Sequence, residues 1–171
     1  MIAARHGHRP GAYAPGVPQI FNVHGDDWDA TEDRPGWRSK GVRVGARIGA
    51  ESIGGGLYEL EPGDRLFPYH THHANEEWLL VVRGRPTLRT PDGERDLTEG
   101  DIVAFPRGEA GLHQVRNGTE EPIRVLMLST LIMPEVVEYA DSGKLGVRNA
   151  KGERIVMTRP GTALDYWDGE D

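Results

Sequence analysis

Apolar positions along this chain fall in short runs. Val42 to Ile48, Leu57 to Leu60, Glu77 to Val82, Pro86 to Thr90, Ile102 to Phe105 and Ile123 to Leu131 are apolar or β-branched. Each has the length and composition of a β-strand. Turn signals separate them: Gly54-Gly55-Gly56, Pro62-Gly63-Asp64, Pro91-Asp92-Gly93, Glu99-Gly100-Asp101 and Asn117-Gly118. Many short strands at regular spacing predict an all-β sandwich or barrel over residues 41–134. No internal repeat is visible, so one barrel is expected. Between Gly84 and Gly100, residues Arg85 to Thr98 suit a hairpin with Pro91-Asp92-Gly93 at its tip.

The flanks differ from this centre. Residues 1–40 are rich in Pro, Gly, His and Asp and read as an N-terminal arm pinned by Trp28 and Trp37. Residues 135–171 are polar again and read as a C-terminal extension, with a short helix expected over Pro134 to Ala140. Its acidic end, Asp165 to Asp171, reads as a solvated tail.

Composition narrows the chemistry. At 171 residues the chain can bury one core without covalent staples. It contains no cysteine, which excludes disulfides, thiolate metal sites and Cys nucleophiles. A formal net charge of −7 disfavours a nucleic-acid surface. No apolar run approaches the ~18 residues of a membrane helix, and no secretory leader is visible, so a cytoplasmic location is expected.

One cluster stands out: His70-Thr71-His72-His73-Ala74-Asn75-Glu76-Glu77, entering the strand Trp78 to Val82. Side chains alternate along a strand, so His70 and His72 share a face. On the next strand Glu77, Leu79 and Val81 share one face, and Trp78, Leu80 and Val82 the other. Imidazole and carboxylate groups converging on one face suit a divalent transition metal. His113 is the candidate partner downstream.

These residues resemble the cupin family. Gly63, His70, His72, Glu77 and Gly84 fit its first motif, with one extra residue after Gly63. Gly100, Pro106, Gly108, His113 and Asn117 fit its second, with a longer gap before the His. The resemblance covers roughly residues 57–130. It implies a jelly-roll barrel, or double-stranded β-helix, with metal ligands at His70, His72, Glu77 and His113. Glu77 is favoured over Glu76 by the gap to Gly84 and by strand alternation, although an irregular strand start would reverse that order. Three neutral imidazoles and one carboxylate leave a divalent ion with net charge +1. They suit Fe, Mn, Ni, Zn or Cu and leave positions open for water, dioxygen or a chelating substrate.

The function expected is therefore a metal-dependent enzyme on a small organic substrate. By analogy with the family, oxygenase-type chemistry is favoured over isomerase, decarboxylase, lyase or cyclase chemistry. The alternative is a non-enzymatic small-molecule binding or regulatory module. No catalytic residue is assigned, although Tyr69, Arg47, Tyr58 and Gln114 are candidates to line a pocket. His73 is expected beside the site or exposed, His24 in a surface loop, and His6 and His8 in a solvated tail. Trp28, Trp37, Tyr166 and Trp167 are expected to anchor the arms to the barrel or to a neighbouring subunit. Because the strand Trp78 to Val82 is apolar on both faces, a homodimer is expected.

Overall fold

The strand alternation at Glu77 to Val82 organises the whole architecture, because it splits the chain's apolar residues into an inner and an outer set. A computed structural model of the chain describes residues 18–161 and 163–170. His6 and His8 lie outside the described residues. The elements in chain order are β1 (Ala30–Glu32), β2 (Ser39–Val42), a single-turn helix α1 (Val44–Arg47), β3 (Ile53–Leu60), β4 (His70–His72), β5 (Glu77–Arg83), β6 (Thr87–Thr90), β7 (Gly93–Asp96), β8 (Ile102–Phe105), β9 (Gln114–Arg116), β10 (Ile123–Thr130), β11 (Glu135–Tyr139), β12 (Lys144–Arg148) and β13 (Arg154–Thr158). Nearly all of the regular structure is antiparallel strand, as the all-β reading expects.

A six-stranded sheet in the order β1-β2-β3-β10-β5-β8 forms one wall of the barrel. Opposite stand a three-stranded sheet, β7-β6-β9, and a four-stranded sheet, β13-β12-β11-β4. The inward residues Leu60, Leu79, Val81, Ile123, Val125 and Met127 of the large sheet pack with Leu88 of β6 and Val115 of β9. This fills the end of the barrel that faces the three-stranded sheet. The end facing the four-stranded sheet is left open.

The outer set is covered by the N-terminal arm. Phe21, Val23 and Trp28 pack with Val42, Val44, Leu57, Leu80 and Val82 on the outside of the large sheet. Arg124 fixes the arm in place. Its guanidinium lies on the Trp28 ring (4.8 Å), donates to the carbonyls of Val23 (3.1 Å) and Gly25 (2.9 Å), and pairs with buried Glu59 (2.6 Å). Trp28 is thus an anchor, whereas Tyr166 and Trp167 are exposed, their rings edge-on to each other.

Three sequence-based expectations are corrected here. The run Val42 to Ile48 is not one strand: β2 ends at Val42 and α1 follows. Gly54-Gly55-Gly56 is not a turn but part of β3. A Cβ at Gly45 would meet the Gly55 amide at 2.9 Å, so α1 can lie on β3 only where both backbones are bare. The predicted helix at Pro134 to Ala140 is strand β11. Val136 and Val137 are β-branched, and β4 offers a partner edge, with His72 opposite Val137 and His70 opposite Tyr139. Pairing with that edge outweighs any local helical tendency.

Candidate metal centre

The site grows from two short strand pairings. His70 and His113 bridge each other in antiparallel fashion, with paired backbone hydrogen bonds of 3.1 and 2.9 Å. Glu77 arrives from the opposite wall at the open end of β5, on the same face as the buried Leu79 and Val81. The loops that set these positions turn on glycines in left-handed backbone conformations. Gly84 has φ of 86°, and a Cβ there would also meet Ile123 at 2.9 Å, so both strain and space require glycine.

One ligand atom from each of His70, Glu77 and His113 lies within 4.8 Å of the others. His113 Nε2 is 3.4 Å from Glu77 Oε2. His72 stands at the edge of this group, with Nε2 3.3 Å from the same carboxylate oxygen. Glu76 is exposed and accepts from the Trp78 indole at 2.8 Å, which takes it out of the cluster. His73 pairs with Glu138 at the surface, 3.4 Å apart, and His24 is exposed.

The imidazoles are held from behind. His70 Nδ1 lies 2.8 Å from the Pro68 carbonyl and His113 Nδ1 lies 2.8 Å from the Gly111 carbonyl. A carbonyl only accepts, so each Nδ1 carries the proton and each Nε2 turns a lone pair to the centre. The His113 ring stacks flat on Phe105, with 3.8 Å between centroids. His72 Nδ1 is 3.5 Å from Glu135 Oε2.

Electrostatics favour ligand-ready groups. Burial, and then the neighbouring His113 and His72, push the pKa of His70 down to about 3. Burial also lowers that of His113. For Glu77, burial acts against ionisation, but contact with His72 and its charge prevail, with His113 and His70 acting in the same direction, and lower its pKa. Burial likewise opposes charge on His72, but Glu77 and then Glu135 prevail and raise its pKa. The donor set tests well for a cation. Glu77 Oε2 and His113 Nε2 are buried without a hydrogen-bond partner, a costly state for two polar atoms. One metal ion between them would satisfy both.

Above the cluster opens a cavity of 460 Å³. The large sheet contributes Gly56, Tyr58, Glu77, Met127 and Ser129, and the four-stranded sheet contributes His70, His72, Val137, Tyr139 and Arg148. Of the four residues considered for such a pocket, only Tyr58 lines it. Arg47 is bound to Asp27 and Asp29, Tyr69 lies under Arg89, and the Gln114 amide donates to the Phe67 carbonyl. Sequence reasoning missed Glu135, which is 2 % exposed. A lone acid before two valines gives no signal without the pairing to β4.

The barrel and its lumen cluster of histidines and a carboxylate define a small double-sheet metal-site fold. The family described as Cupin domain matches residues 56–129. A sugar phosphate isomerase of the cupin superfamily from Silicibacter pomeroyi is 30% identical, over 75% of this chain and 81% of that one, with a TM-score of 0.67. A protein from Acidithiobacillus ferrooxidans, provisionally described as a sugar phosphate isomerase, is 28% identical over 77% and 83%, with a TM-score of 0.68. The polyketide cyclase RemF from Streptomyces resistomycificus shares the fold at 20% identity over 87% and 91%, with a TM-score of 0.54. No curated protein matches the chain. The chain belongs to the cupin superfamily. No helix among the described residues is long and apolar enough to cross a membrane.

Proposed function

We propose that this protein is a metal-dependent enzyme on a small organic substrate, with one divalent transition ion held by His70, His72, Glu77 and His113. The observation that carries the reading is the pair of buried, unpartnered atoms, Glu77 Oε2 and His113 Nε2, beside an open cavity that Glu77, His70 and His72 line. A bound ion of this kind acts as a Lewis acid on substrate oxygens. Fe, Mn, Ni, Zn and Cu all suit three nitrogens and one oxygen.

The reaction we propose is a proton-transfer isomerisation of a hydroxy-carbonyl compound. The sequence-based expectation leans to oxygen chemistry; the two neighbours described as sugar phosphate isomerases support proton transfer instead. Tyr58 suits that chemistry. Its ring packs edge-on to Phe67 at 5.2 Å and lines the cavity. Burial, and then the charge of Glu77, push its pKa up to about 12, so the phenol keeps its proton and donates a hydrogen bond to a substrate oxygen. Tyr139, stacked on His70 at 6.1 Å, forms part of the facing wall.

Elemental analysis of protein purified without chelator tests the centre. Near-stoichiometric metal is expected, and His113→Ala should lose most of it. Metal-free wild type, or full occupancy in the variant, overturns the ligand set. Incubation with pentose and hexose phosphates in D2O tests the reaction: solvent deuterium should enter the substrate carbon skeleton without dioxygen uptake. Oxygen consumption without exchange would return the reading to oxygenase chemistry. The homodimer expected from the strand faces remains our proposal for the assembly, through the exposed Trp78 and Ile102 at the end of the large sheet that the arm leaves bare. Light scattering showing a monomer overturns it.

A further inference from the structure

Large apolar side chains stand in water at two places that lie close together in the sequence. The first is β13, the last strand of its sheet. All five of its residues are exposed, Ile155, Val156 and Met157 among them. The apolar surface continues past the tip of the β12–β13 hairpin. The Met133 methyl lies beside Gly152, 3.8 Å from where a Cβ there would stand, and its neighbours Leu131 and Ile132 are exposed. Leu131, Met133 and Arg154 also line the cavity, so this patch borders its open end. The second place is the segment after β13. Leu164, Tyr166 and Trp167 are 76 %, 83 % and 70 % exposed. The Trp167 N–H donates to the Asp165 carboxylate at 3.0 Å and the Asp168 N–H to the Asp165 carbonyl at 3.2 Å. This turn presents the two rings together, 4.8 Å between centroids. Single exposed apolar residues need no explanation, but clusters of them mark interaction surfaces.

The two surfaces carry opposite charge. Residues 151–159 hold Lys151, Arg154 and Arg159 against Glu153, whereas residues 163–170 hold Asp165, Asp168 and Glu170 and no base. Opposite charge around apolar centres makes them complementary. Within one chain they do not meet. Thr158 pairs with Leu145 at the end of β13 remote from Arg154. There Arg159 Nε donates to the Ser142 carbonyl at 2.9 Å, which holds the following segment at that end, and both surfaces stay bare. A second copy resolves this. Each copy supplies one segment and one hairpin, so a two-fold axis covers both pairs in one self-complementary interface.

We propose that residues 163–170 of one copy dock on the β12–β13 hairpin of a second copy, with Tyr166 and Trp167 lying on Ile155, Val156 and Met157 and the acids facing Lys151 and Arg159. Tyr and Trp are the side chains that most often carry the binding energy of such contacts. Docking covers the free edge of β13, which is otherwise open to unwanted strand pairing, and it adds a wall beside the open end of the partner's cavity. The surface belongs to a different sheet from Trp78 and Ile102 and does not depend on the metal centre. With both faces engaged the particle is a tetramer; with this one alone it is a dimer.

Light scattering and sedimentation of the full chain over a concentration series test this. Trp167→Ala and Ile155→Lys should each weaken self-association at least ~10-fold, the loss of one anchoring contact, and halve the particle mass at low concentration. Both side chains are exposed, so far-UV circular dichroism should not change. Lys151→Glu should weaken association as well, and less so at high salt. Because the chain has no cysteine, Val156→Cys/Asp168→Cys protein reports the contact through a short bis-maleimide. The expected product is a link between two chains, at twice the mass on a denaturing gel. A link within one chain would mean that the segment folds back on its own hairpin and overturns the proposal. Unchanged mass in both Trp167→Ala and Ile155→Lys overturns it too, as does a monomeric wild type. A wild-type dimer split by Trp78→Ser but not by Trp167→Ala removes this interface and leaves the Trp78 face standing; the reverse pattern removes that face and leaves this one.

Discussion

The carboxylate of Glu135 stands behind His72, 3.5 Å from Nδ1, on the edge of the ring turned away from Glu77. The same carboxylate accepts from the backbone N–H groups of His73 and Ala74, so it holds the loop leading to Glu77 while its charge faces the buried Nδ1 of the ring. Glu135→Gln should lower metal affinity by about 10–100-fold, the usual cost of losing a carboxylate behind a ligating imidazole. Competition against a chromophoric chelator measures it. Unchanged affinity would place His72 outside the coordination sphere and leave a three-ligand centre.

The Tyr58 hydroxyl lies back over Gly56 on its own strand, so closely that a Cβ there would collide with it. Tyr58→Phe keeps the contact with Phe67 and should leave metal content and stability unchanged while lowering kcat by roughly 10²-fold. Gly56→Ala should displace the phenol and give a similar loss of kcat with the Tyr58 side chain still present. Full activity in both variants would remove Tyr58 from the chemistry.

Arg124 is 3 % exposed and Glu59 is 6 % exposed. Removing the cation by Arg124→Ala leaves a buried carboxylate with Lys40 and Arg83 as its remaining partners, and releases the arm. A loss of about 3 kcal/mol is expected, at the low end for a broken buried pair because two cations remain. Urea unfolding measures it, and Trp28 fluorescence should show the arm leaving the sheet. A loss below about 1 kcal/mol would mean that the arm contributes little.

Acid should destabilise the metal-free protein. His70, with its pKa pushed down to about 3, and His113, also lowered, are neutral in the fold. In the unfolded chain both titrate near the ordinary value of 6.5. Below that pH the unfolded chain binds protons that the fold refuses, so this stability is whole above about 6.5 and declines toward about pH 3. His72, with its raised pKa, acts in the opposite sense: its contribution is present below 6.5 and fades as pH rises through its folded value. Two lowered groups outweigh one raised group, so the thermal midpoint of chelator-treated protein should be lower at about pH 5 than at about pH 7.5. A flat profile would show that these imidazoles are not held neutral. In loaded protein the same protons compete with the ion, and metal should be released over the same range.

Much of this was legible in the chain because it depends on near neighbours. Alternation alone puts Glu77 with Leu79 and Val81, and the glycine-marked turns put β6 and β7 in one hairpin, Leu88 facing Arg95. What escaped depends on contacts between distant segments. Gly54-Gly55-Gly56 looks like a turn until α1 lies on it, and Glu135 looks like a polar terminus until β11 finds β4. The outer apolar face of β5, read as a partner-binding surface, is largely covered by Phe21, Val23 and Trp28, which no local pattern in the arm announces.

The family match ends at residue 129, yet Arg43, Arg148 and Arg154 all lie beyond its limits, as does most of the four-stranded sheet. The wall over the histidines is therefore built in part from outside the matched stretch: β11 pairs with the strand that carries His70 and His72, and Gly146, Arg148 and Arg154 of β12 and β13 line the same cavity.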